Sequence, residues 1–93
     1  MIDEARLQRT RVELSTKTKQ QIEAETAETW AARAIVAYER FAAPNVLGTP
    51  QRLKLYAEAV DYERESHEHA SEGGNLAYVS SVIDAAKGRF GLL

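Results

Sequence analysis

Pro44-Asn45-Val46-Leu47-Gly48-Thr49-Pro50 decides how this chain folds. Both prolines of the sequence and one of its five glycines fall within it. Proline locks φ and has no N–H to donate, so a helix cannot run through the segment. Thr49 is a natural N-cap, and Pro50 suits the first helical position, where a missing donor costs nothing. The other glycines gather at Gly73-Gly74 and at Gly88 and Gly91. Breakers clustered this way leave long stretches rich in Ala, Glu, Gln, Arg and Leu, which are good helix formers. Nowhere do β-branched and aromatic residues alternate with polar ones over the length of a strand. The expectation is an all-α chain, either a three-helix bundle or an extended helical hairpin with a long first helix.

Upstream of the breaker, a first helix is expected over about 3–43. Ser15-Thr16-Lys17-Thr18 is its weak point, because hydroxyl side chains compete for backbone hydrogen bonds. Thr18 followed by Gln21 makes a capping-box pattern. The stretch therefore reads either as one helix of roughly 40 residues or as two pieces broken at 15–17. From Ile22 onward, Ile22, Thr26, Trp30, Ala34, Ala37 and Phe41 fall on one face, widened by Ala27, Ala31, Ile35 and Tyr38. Before that the stripe is thin, with Leu7 and Leu14 seven apart.

Downstream, a second helix is expected over about 50–71 and a third over about 75–89. In the second, Leu53, Tyr56, Ala57, Val60 and His67 share a face, with Leu55, Ala59 and Tyr62 beside it. Glu63 to Ala70 is polar almost all round, which suggests an end projecting past the core. In the third, Leu76, Val79, Ile83, Ala86 and Phe90 step by three and four, a packed seam too short for a coiled coil. Val36-Ala37-Tyr38-Glu39-Arg40 and Val60-Asp61-Tyr62-Glu63-Arg64 echo one another at an offset of 24.

Composition excludes much. At 93 residues the chain has room for one domain, spanning 1–93, and a domain this small is marginal without a partner. There is no cysteine, so disulfides, cysteine-ligated zinc and a thiol nucleophile are out. Twelve Lys+Arg against 14 Asp+Glu leave a net charge of −2, neither a polycation nor an acidic mimic. The balance is uneven along the chain. Residues 1–20 sum to +2 and residues 50–72 to −3. No apolar run approaches the roughly 18 residues needed to cross a bilayer. The N-terminal residues lack the apolar core of a signal peptide, which points to the cytoplasm.

Chemistry-bearing candidates are few. Glu63 with His67 and Glu65 with His69 are i, i+4 pairs, each able to offer a carboxylate and an imidazole to one metal ion. Facing glutamates from the first helix, Glu25 or Glu28, are possible donors in the manner of carboxylate-bridged bundles. The Glu-x-x-His spacing of such bundles is missing, and His67 and His69 point about 200° apart on a helix. No nucleophile elbow, phosphate-cradling loop or zinc-protease motif is present, so neither an enzyme nor a cofactor is expected. Arg6, Arg9, Arg11, Lys17 and Lys19 form the one basic stretch, and a DNA-binding accessory regulator remains an alternative through it. Lys87 and Arg89 suit the end of a helix dipole.

The leading expectation is a non-enzymatic interaction or structural component that self-associates, or docks on a larger bacterial or phage assembly. It rests on length. A helix of 40 residues spans about 60 Å, more than helices of about 20 and 15 residues can cover. Leu7, Leu14, Ile22, Trp30, Tyr38 and Phe41 are the expected interface, with Trp30 read either as a core aromatic or as part of that surface.

Overall fold

The computed structural model describes residues 18–43 and 48–93. Their order is three helices: α1 over Lys19–Ala42, α2 over Thr49–Gly73 and α3 over Leu76–Arg89. Among the described residues there is no strand, as the breaker pattern requires. Leu7, Leu14 and the basic residues Arg6, Arg9, Arg11 and Lys17 lie outside the described residues, as do Pro44 to Leu47.

The capping box at Thr18 forms. Its hydroxyl accepts from the Gln21 N–H at 3.2 Å, and the Gln21 side chain accepts from the Thr18 N–H at 2.9 Å. Thr18 itself has φ −58°, ψ 155°, which no helical residue adopts. A continuous 40-residue helix is therefore ruled out: α1 starts at Lys19 and has 24 residues. α2, with 25 residues, matches it in length. The length mismatch argued from the sequence does not hold for this pair. α1 ends where Ala43 turns extended at ψ 132°, as a residue before proline is pushed to do.

α2 begins one residue earlier than its threonine suggested. Gly48 is the N-cap and Thr49 is already helical. It ends at Gly74 in the left-handed region, φ 76°, whose N–H reaches the Ala70 carbonyl. One residue later, the Asn75 amide side chain donates to the Ala24 carbonyl at 3.2 Å and ties the start of α3 to α1.

α1 and α2 pack antiparallel along a seam of small side chains. The buried apolar residues are Ala27, Ala31, Ala34, Ala37 and Tyr38 on α1, Ala59 and Ala70 on α2, and Val79, Ile83 and Ala86 on α3. Only Tyr38, Val79 and Ile83 among them are larger than alanine. Ser66 is also fully buried, its hydroxyl donating back to the Glu63 carbonyl at 2.6 Å. Small residues let the two backbones approach closely. At Gly73 the approach is so close that a Cβ would lie 2.4 Å from the Ala24 nitrogen.

This seam corrects two sequence expectations about α2. The segment Glu63 to Ala70 does not project past the core, because Ser66 and Ala70 are fully buried. The face Leu53, Tyr56, Ala57 and Val60 points outward instead of inward. The packing face is Ala59–Ser66–Ala70–Gly73, which hydrophobicity alone does not mark. In α3 the seam Val79, Ile83 and Ala86 is buried as expected, while Leu76 stays 42% exposed.

Candidate functional site

Two polar knots cross the helix interfaces. In the first, the Tyr38 hydroxyl of α1 donates to Glu63 Oε1 of α2 at 2.6 Å. Lys87 Nζ of α3 donates to the same oxygen at 3.3 Å and lies 5.1 Å from the centre of the Tyr38 ring. One carboxylate thus joins all three helices. Burial, and then the Glu63 carboxylate, push the Tyr38 phenol well above its ordinary value, so it stays protonated and remains a donor. The echo at offset 24 has no structural equivalence: Tyr38 is buried and Tyr62 half-buried, while Glu39 is exposed and Glu63 is not.

In the second knot, His69 of α2 meets Glu23 of α1 through Nδ1. Its Nε2 faces Glu65 at 3.8 Å. The hydrogen bond to Glu23 raises the imidazole above its usual value, against a smaller opposing effect of desolvation, and Glu65 and Glu72 add to the rise. Glu23 was not among the α1 donors expected for this region. Its register, four residues before the buried Ala27, is the signal that would have found it.

The metal candidates therefore divide. His67 Nε2 lies 3.7 Å from Glu63 Oε2, and that carboxylate already serves Tyr38 and Lys87. His69 holds Glu23 and Glu65 on opposite nitrogens of its ring, so the two carboxylates cannot converge with one nitrogen on a single ion. The pairs Glu63–His67 and Glu65–His69 lie side by side as i, i+4 neighbours within α2, at 3.7 and 3.8 Å, and the ties between helices come from Glu63 and His69. Among the described residues no group of three or more metal-capable side chains gathers.

The described residues expected at an interface are also divided. Tyr38 is 2% exposed and belongs to the core. Trp30 is half-buried, its ring 5.7 Å from that of Tyr62 across the hairpin and 4.9 Å from the Arg33 guanidinium. Phe41, also half-buried, packs on Tyr56 at 5.1 Å and under Arg52 at 5.2 Å. Ile22 is 50% exposed. What the sequence missed is on α2. Leu53 is 63% exposed, Tyr56 46% and Val60 39%, at spacings of three and four on one outward stripe, with exposed Ala57 between them. Phe41 and Tyr38, at 5.1 and 6.2 Å, brace the inner edge of the Tyr56 ring and leave its outer edge free.

No described helix is long and apolar enough to cross a membrane. Compared with family models, with curated proteins and with solved structures, the chain matches none.

Proposed function

We propose that this chain is a small non-enzymatic interaction protein, a structural or accessory component that self-associates or docks on a larger assembly through the outer face of α2. One observation carries the reading: the stripe Leu53–Tyr56–Val60 stays in water although the hairpin is complete. Aliphatic and aromatic side chains on consecutive turns are what a partner helix or groove receives. The stripe replaces the excess helix length as the reason for association. The polar knots support the same reading, since Glu63 is engaged with Tyr38 and Lys87 and His69 with Glu23, contacts that tie the helices together.

A photo-crosslinking amino acid at Ala57, in the chain expressed in its own cells, tests this. The expected result is a defined adduct that Val60→Lys abolishes and that a probe at the exposed α3 residue Asp84 does not form. Absence of any adduct at Ala57 would contradict the proposal.

A further inference from the structure

The stripe on α2 is self-complementary. Leu53 and Val60 lie equally far from a point midway between Tyr56 and Ala57. Lay a second α2 antiparallel across that point and Leu53 meets the partner's Val60, while the two copies of Tyr56 come side by side on one flank and the two copies of Ala57 on the other. Aliphatic side chain then meets aliphatic side chain at both ends and ring meets ring beside the axis, the self-complementary pattern that a twofold interface demands. A small residue at the centre also lets the helices approach closely.

The charges fit the same arrangement. The first turns of α2 carry Arg52 and Lys54, and its later turns carry Asp61, Glu65 and Glu68. This order opposes the helix dipole, with no acid in the first turn and no base in the last. An antiparallel mate brings the basic end of one helix along the acidic end of the other. At about 100° per residue, Lys54, Asp61 and Glu65 lie on one flank of the stripe. A twofold axis joins like flanks, so Lys54 comes level with the partner's position 59, between the partner's Glu58 and the partner's Asp61. Among the described residues Asp61 pairs with Arg64 at 3.0 Å, both side chains 61% exposed, a surface pair that contributes little and yields readily. A parallel mate would instead set the two basic ends at one level and the two acidic ends at another.

We infer that the outer face of α2 pairs with the same face of a second copy of this chain, antiparallel and centred between Tyr56 and Ala57. This rests on the reading of that face as a binding surface and names its occupant.

The absence of cysteine makes the test direct, because single cysteines can be introduced one at a time. In the inferred pair the two copies of position 57 are about 1.5 Å apart along the axis, and those of position 71 about 43 Å apart. Purified chains carrying Ala57→Cys, Ser71→Cys or Asp84→Cys are oxidised with copper–phenanthroline, with helicity checked first by circular dichroism. Ala57→Cys is expected to form disulfide dimer about tenfold faster than Asp84→Cys, because pairing raises the local thiol concentration. Ser71→Cys, on the same outward face, is expected to match Asp84→Cys. Fast cross-linking of both Ala57→Cys and Ser71→Cys would mean a parallel pair and overturn the inference. An Ala57→Cys rate equal to that of Asp84→Cys would overturn self-pairing altogether. In that case a cellular adduct at Ala57 with a different protein would leave the binding face standing, and its absence would remove both.

Discussion

Replacing Gly73 by alanine probes the contact on which the hairpin depends. A Cβ at this position would sit 2.4 Å from the Ala24 nitrogen, 2.5 Å from its Cα and 2.9 Å from its Cβ. Comfortable carbon contacts lie near 3.5–4.0 Å, so the helices must move apart there by about 1 Å. The obstructing atoms are largely backbone of a regular helix and cannot rotate away. Overpacking of this kind costs about 1–3 kcal/mol. Alanine returns part of that as helix propensity, up to about 1 kcal/mol in a helix interior and less at the last residue of α2. The net loss is about 1–2 kcal/mol, a fall in Tm of roughly 5–15 °C for a domain of this size. Gly88→Ala is the internal control. Its Cβ would meet nothing nearer than Leu93 Cδ1 at 3.9 Å, and it is expected to hold or raise stability by up to about 1 kcal/mol. Thermal unfolding followed by far-UV circular dichroism reads both. A Gly73→Ala protein as stable as the parent would refute the close approach of α1 and α2.

Three other perturbations address the remaining contacts. Ser66→Leu is expected to lose about 1–3 kcal/mol by overfilling the seam, whereas Ser66→Ala stays near the parent; urea unfolding separates the two. Tyr38→Phe removes the 2.6 Å hydrogen bond to Glu63 and is expected to destabilise by about 1–3 kcal/mol, with a double-mutant cycle against Lys87→Met revealing coupling through the shared carboxylate. Protonated His69 binds its proton more tightly in the fold than in the unfolded chain. Its contribution is fully present below about pH 6.5 and is lost as pH rises through the higher folded value. Urea midpoints taken across that range should fall, and the fall should shrink in His69→Gln.

The breakers made the helix count and order legible, and the Thr18–Gln21 pattern marked the start of α1. The α3 seam was readable because its buried residues include Val79 and Ile83, which hydrophobicity weights heavily. The phase of α2 was not. Its inner face is Ala59, Ser66, Ala70 and Gly73, whose value lies in allowing close backbone approach, while Leu53, Tyr56 and Val60 face out. A reading that assigns burial by apolar bulk inverts such a helix. The same inversion hides the candidate site, since Leu53, Tyr56 and Val60 share the apolar face that bulk alone would turn inward. The i, i+4 pairs of Glu63 with His67 and Glu65 with His69 followed from spacing alone. Their cross-helix partners, Tyr38, Lys87 and Glu23, depend on packing that no local pattern encodes.

Mass as a function of concentration tests the central claim most directly. Light scattering on the purified chain is expected to rise from the 10.4 kDa monomer towards twice that value, while Val60→Lys stays at the monomer with unchanged helicity. A parent chain that remains at 10.4 kDa across the whole range would contradict pairing through α2.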